Sequence, residues 1–394
     1  MKFEFRKPGL LMRVLVAIAL GVAIGRFAPE FVLRLGATFN VLVGQFLKFI
    51  VPLIIIGLVT PAIGEIGGKA GRLLLATVSI AYIDTLLAGL LAYGAGTLLF
   101  PGMVSAGANV ASGGAAAQPE PFFEISIPPM CDVMSAIVFS FILGLGVAYM
   151  KEGNVLGKML LDFREVVSKT IARAVIPLLP FYIFSIFLLM AASGEAGRIV
   201  SAFAKVVVVV FVLHIVTLAY EFLIAGAVVR RNPLKLLWTM APAYMTALGT
   251  SSSAATIPVT FACVKKLGVQ ERIAAFTVPL CANIHMSGSA MKLTACALAL
   301  SIMQGLPHGF GEFLHFTALL GIVIVAAPGV PGGAVMASLG VIGSILGFSE
   351  ADQALMIALY IAMDSFGTAC NVTGDGAISL VVDRIDSSDR ERLK

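Results

Sequence analysis

Charge is scarce in this chain. Acidic and basic residues make up 12% of its 394 residues, against 59% hydrophobic ones. A soluble protein of this length could not bury so much apolar surface, whereas the hydrocarbon of a bilayer accepts an apolar exterior. Cysteine is also sparse. Cys131, Cys263, Cys281, Cys296 and Cys370 are unpaired by any metal-like spacing, and all but Cys131 sit in apolar or small-residue runs. They read as small core residues and not as redox or zinc ligands. The net charge of +5 comes from short basic clusters between apolar runs, which excludes a nucleic-acid-binding surface. Gly-x-x-x-x-Gly-Lys-Ser/Thr is absent, so nothing points to ATP-driven chemistry, and no organic cofactor motif is present. No cleavable leader stands out. The run from Leu10 to Ala28 follows Lys2, Arg6 and Lys7 and is long enough to span.

Apolar runs near 9–27, 41–63, 73–99, 135–150, 175–193 and 203–229 each approach the ~20 residues of a spanning helix. Beyond residue 236 the pattern changes. Polar and Gly/Pro clusters at Gly249–Pro258, Asn283–Ser289, Pro328–Gly333 and Gly367–Gly376 interrupt the apolar stretches. Non-helical backbone within a membrane is tolerated only where protein or a water-filled cavity satisfies it. The expected order is therefore hairpin, broken helix, hairpin, broken helix, with the helix breaks at 283–289 and 371–375. Such internal repeats build midplane binding sites.

Basic residues set the expected orientation. The segment 101–134 has no Lys or Arg and is placed outside, with 101–119 as a flexible Gly/Ala-rich outer loop. Segments carrying Lys151, Lys158, Arg164, Lys169 and Arg173, then Arg230, Arg231 and Lys235, then Lys265, Lys266 and Arg272, are placed inside, as is the tail from Arg384. Both termini then face the cytoplasm.

Ionisable residues inside spans are costly, at about 3 kcal/mol each on insertion scales, and mark candidate sites. They are Asp84, His285, Lys292, Asp364 and Asp375. Asp364, Thr368 and Asn371 share one helix face, where a carboxylate, a hydroxyl and an amide could hold an ammonium and a carboxylate. Asp375 follows Gly374, where freed carbonyls would join it around a cation.

Three motifs, in order, resemble those of the glutamate-transporter family, the dicarboxylate/amino acid:cation symporters. Thr250–Thr260, with its run of serines, is similar to the tip of the first re-entrant hairpin. Gly329-Val330-Pro331-Gly332 is similar to the tip of the second. Asn371-Val372-Thr373-Gly374-Asp375 matches the motif of the last helix. The resemblance covers nearly the whole chain and is weakest over the first 130 residues. It implies an all-α membrane protein of eight transmembrane helices plus two re-entrant helical hairpins, arranged as inverted repeats in a homotrimeric elevator-type transporter. Residues 1–71 would form scaffold helices one and two. Residues 72–150 would hold helix three of the transport domain, the outer loop and scaffold helix four. Residues 151–200 would form scaffold helix five, and 201–394 the rest of the transport domain. The expected setting is the cell membrane of a bacterium, with lipid around the protein.

The resemblance also assigns roles. Ser252, Ser253 and Ser289 would contact substrate, Gly329 and Val330 would belong to the outer gate, Asp364 would take an amino group, and Thr368 and Asn371 an α-carboxylate. The cation or proton site would comprise Asp84, Thr85, Cys281, His285, Met286, Ser287, Asn371 and Asp375, the last as a sodium ligand. The departures carry as much information. His285-Met286-Ser287-Gly288-Ser289 stands where the family has Asn-Met-Asp-Gly-Thr, so two sodium ligands are replaced. Asp84 falls where the third helix usually has Thr. A moved cation site, a proton-handling pair with His285 and a structural hydrogen bond are all open. Gly367 replaces the Arg that pairs with an acidic substrate's side chain, which suggests a neutral amino acid. Lys292, at a position the family fills with an aromatic, could instead supply that charge, or could snorkel or pair internally.

The expectation is a secondary active symporter for a small amino acid, neutral or acidic, or a related carboxylate, driven by Na+ or H+. Alternatives are a dicarboxylate carrier using Lys292, and a passive anion channel or sensor on the same fold. An intramembrane protease is disfavoured. Val372–Asp375 lacks the first Gly of Gly-x-Gly-Asp, and His285–Gly288 has His where Gly-x-Ser-Gly needs Gly.

Overall fold

A computed structural model describes residues 10–67, 72–104, 119–151, 153–194, 196–325, 327 and 332–392. The described residues form α-helices and no strand. In chain order these are α1 (Leu10–Gly25), α2 (Glu30–Gly67), α3 (Arg72–Met103), α4 (Val133–Ala148), α5 (Val155–Thr170), a π-helical turn at Ile171–Val175, α6 (Ile176–Ala192), α7 (Ala196–Val229), α8 (Pro233–Thr239), α9 (Ala241–Thr250), α10 (Ser253–Lys266), α11 (Glu271–Ile284), α12 (Ser287–Gln304), α13 (Phe310–Val325), α14 (Gly333–Leu346), α15 (Glu350–Ala362) and α16 (Asp364–Arg392).

Five continuous or near-continuous helical stretches are long and apolar enough to cross a bilayer, and α15 with α16 makes a sixth that bends by 62°. Four shorter apolar helices, Leu10–Gly25, Ser135–Ala148, Phe310–Val325 and Gly333–Leu346, accompany them. Bulky apolar side chains such as Leu98, Ile142, Val208 and Ile215 project outward, as a lipid-facing surface requires. Small residues bring helices close. A Cβ on Gly21 would lie 2.8 Å from the Phe184 carbonyl oxygen of α6, and Gly25, one turn on, abuts the carbonyl of Leu188. This four-residue spacing of glycines lets α1 lie against α6 at near-backbone contact. α12 is buried from Ser287 to Met303 and forms the axis on which α3, α7, α15 and α16 pack.

The interruptions fall mostly where the sequence puts them. α9 and α10 form the first hairpin. Ser251 turns the chain in the left-handed region (φ 49°), and the Ser252 side chain caps α10 by accepting from Ala255 N–H. α11 and α12 are separated at His285–Met286, within the expected 283–289 break. α13 and α14 form the second pair, and of its tip Gly329, Val330 and Pro331 lie outside the described residues. The same holds for most of the 101–119 loop.

One expectation is corrected. The helix does not break at 371–375. α16 runs through that motif without interruption, and the break lies at Met363 between α15 and α16. The glycines there serve close packing. A Cβ on Gly374 would meet Glu221 and come within 2.6 Å of His285 Cε1, and one on Gly376 would lie 2.7 Å from Met240 Sδ. Because the helix continues, its carbonyls are not freed for a cation as the sequence suggested.

Candidate functional site

The two interruptions and the two hairpins meet around α16. A cavity of ≈ 40 Å³ lies among the first hairpin tip, α11, α12, α14, α15 and α16. It has room for roughly three waters at about 10–15 Å³ each. Ser252, Ser253, Ser289, Asp364, Thr368, Asn371 and Met286 all line it, so these sequence-derived candidates converge on one hollow. Ser251 Oγ is 2.9 Å from Ser365 Oγ, which ties the hairpin tip to the first turn of α16.

The wall behind the cavity is an ion pair. Lys292 Nζ donates to Asp364 Oδ1 at 3.1 Å, and the lysine has no exposed surface. The ammonium also lies 3.5 Å from the centroid of the Tyr360 ring. Asp364 Oδ2 accepts from Gly332 N–H at 2.8 Å. Lys292 reaches this place because residue 367 is glycine. A Cβ there would stand 2.7 Å from Nζ. The sequence treated Gly367 and Lys292 as two departures, and the structure joins them as one exchange of space and charge.

A second polar centre sits one step along α16. His285, buried at the α11–α12 break, bridges two carboxylates. Its Nε2 is 2.8 Å from Asp84 Oδ2, and its Nδ1 is 3.0 Å from Asp375 Oδ1 and 3.2 Å from the Asn371 carbonyl oxygen. A ring that faces acceptors on both sides needs a proton on each nitrogen, or a protonated carboxyl opposite one of them. Ser287 Oγ donates to Glu221 Oε1 at 2.8 Å, while Tyr220 donates to Asp84 Oδ1 at 3.0 Å. Thr85 Oγ1 accepts from Met286 N–H at 3.2 Å, and the Cys281 thiol is buried nearby. Every residue expected for the cation or proton site thus lies at or beside this centre.

Ligand atoms of Asp84, Glu221 and His285 lie within 4.8 Å of one another, a donor set able to take a cation. With both ring nitrogens engaged by carboxylates, His285 would have to release Asp84 to become a ligand. Glu221 and Tyr220 were missed by the sequence reading. The signal existed, since Glu221 is a lone carboxylate inside the apolar run 203–229. Asn371 links the two centres. Its Nδ2 donates to Ser289 Oγ at 3.0 Å, its Oδ1 accepts from Ser289 N–H at 3.2 Å, and its carbonyl faces His285.

Long apolar helices, two of them broken around a buried polar hollow, define the class of polytopic integral membrane proteins. Residues 10–385 match the sodium:dicarboxylate symporter family, and the chain belongs to that family, whose members are transporters and not enzymes. Among similar proteins, excitatory amino acid transporter 3 of Homo sapiens is 29% identical over 269 residues, covering 66% of this chain and 50% of that protein. Excitatory amino acid transporter 1 of Ambystoma tigrinum is 29% identical over 262 residues, covering 64% and 47%. The same transporter of Rattus norvegicus is 28% identical over 271 residues, covering 67% and 48%. The chain spans about half the length of the curated relatives it matches.

Proposed function

We propose that this chain is a secondary active symporter that moves a small amino acid or related carboxylate together with a cation. The observation that carries the reading is Asn371, whose side chain holds the wall of the solute cavity while its carbonyl faces the His285 cluster. Occupancy of one centre is thereby felt at the other, as symport requires. Ser252, Ser253, Ser289, Thr368 and Asn371 would bind the solute. Asp84, Thr85, Cys281, His285, Met286, Ser287, Glu221 and Asp375 would form the coupling centre. The eight-span, two-hairpin topology, the division into scaffold and transport domains, elevator movement, a homotrimer and cytoplasmic termini complete the proposal, and family membership supports them.

For the coupling ion, the family supports sodium. A second reading, a proton, is favoured by the His285 ring standing between Asp84 and Asp375. Thermal unfolding of the purified protein decides between them when amino acids and dicarboxylates are tested in sodium, potassium and choline buffers at two pH values. Ligand-specific stabilisation that needs sodium supports the first reading. Stabilisation that ignores the metal but follows pH supports the second, and no stabilisation in any condition contradicts the symporter proposal.

A further inference from the structure

We infer that the cavity recognises a small carboxylate without an α-amino group, because Lys292 already supplies the cation that a bound amino acid would bring to Asp364. The inference rests on the carrier reading above and narrows its substrate.

Asp364 is the only acidic or basic side chain among the described residues that line the cavity. Both of its oxygens are committed, Oδ1 to the Lys292 ammonium at 3.1 Å and Oδ2 to Gly332 N–H at 2.8 Å. Lys292 is held in place. Its stem runs within fully buried α12, and its ammonium lies 3.4 Å from the Met363 carbonyl oxygen and 3.5 Å from the Tyr360 ring centroid. The missing side chain at Gly367 leaves the space it fills. The pair is therefore part of the packing of α12, α15 and α16, unlike a surface lysine free to swing away.

An ammonium group brought to Asp364 would share one carboxylate with Lys292. Two like charges at that range repel strongly where water is excluded. What its other described polar lining residues offer is hydroxyls, from the three serines at the hairpin tip, Ser289, Thr368 and Tyr360, and the amides of Asn283 and Asn371. In the first turn of α10 the Ala255 N–H goes to Ser252 Oγ, while the N–H groups of Ser253 and Ala254 have no acceptor within their own helix. Such donors suit a carboxylate. Among the described lining residues no uncompensated negative charge remains to attract an ammonium.

The test is calorimetric binding to the purified full chain, using matched pairs that differ by the amino group: propionate and alanine, succinate and aspartate, glutarate and glutamate. In any pair that binds, the member without the amino group is expected to bind tighter by about tenfold or more. Equal or tighter binding of the amino member overturns this inference and leaves the carrier reading standing. Failure of all six compounds to bind overturns both. In Lys292→Met, Asp364 is released and the preference is expected to move toward the amino member. A folded variant with the wild-type order counts against the inference. If the variant does not fold, the wild-type ratio decides alone.

Discussion

Lys292, fully buried, and Asp364, largely buried at the cavity wall, neutralise each other, and the removal of either leaves a largely buried charge alone. Asp364→Asn or Lys292→Met alone should lower stability by about 3–5 kcal/mol, and the double variant should recover most of that loss. Thermal unfolding of the three variants checks this. At the second centre, Asp84→Asn removes one of the two carboxylates that hold His285. Its solute uptake should change in pH or cation dependence while its unfolding temperature stays near that of the wild type. Unaltered dependence would remove Asp84 from the coupling centre. Single residues were largely legible in the sequence, because an ionisable group inside an apolar run is expensive wherever it sits. That rule found Asp84, His285, Lys292, Asp364 and Asp375. It applies equally to Glu221, a lone carboxylate inside the apolar run 203–229. The pairing of Lys292 with the gap at Gly367 was not legible, since it depends on how α12 packs on α16.

The hairpin at Ser251–Ser252 and the break at His285–Met286 could be located from polar clusters, as backbone leaves the helix where side chains or a cavity can satisfy it. The motif at Asn371–Asp375 misled for a physical reason. Glycine marks both helix ends and close approaches, and composition alone does not separate them. Here Gly374 and Gly376 admit Glu221, His285 and Met240 against an intact helix, while the bend falls at Met363, which has no Gly or Pro beside it. Gly374→Ala should therefore overpack the coupling centre, cost about 1–3 kcal/mol and reduce transport more than a substitution on the outer face of α16. Unchanged unfolding temperature and uptake would show that the Glu221–His285 contact yields without consequence.

For the whole molecule, composition alone gave the class, and the basic clusters gave an orientation. The structure gathers several of those clusters at one end. Arg231 contacts the Leu267 carbonyl, Arg272 pairs with Asp386, and Gln270 N–H donates to Asp383 at 3.2 Å. Single cysteines introduced at Arg230, Lys266 and Lys151 should all label from the cytoplasmic side, and one at Glu120 from the outside. A mixed pattern would refute the orientation. Oligomeric state is not legible in the apolar exterior of the described residues, because a surface facing lipid and one facing another copy are both apolar.

In a symporter of the proposed kind, the solute cavity and the His285 cluster act as one coupled unit. The most direct measurement is uptake of a bound carboxylate into proteoliposomes carrying an imposed sodium or proton gradient and no solute gradient. Accumulation above the outside concentration is expected, and it collapses when the gradient is dissipated. Uptake that stops at equal concentrations under every gradient would contradict it and leave a passive pore in its place.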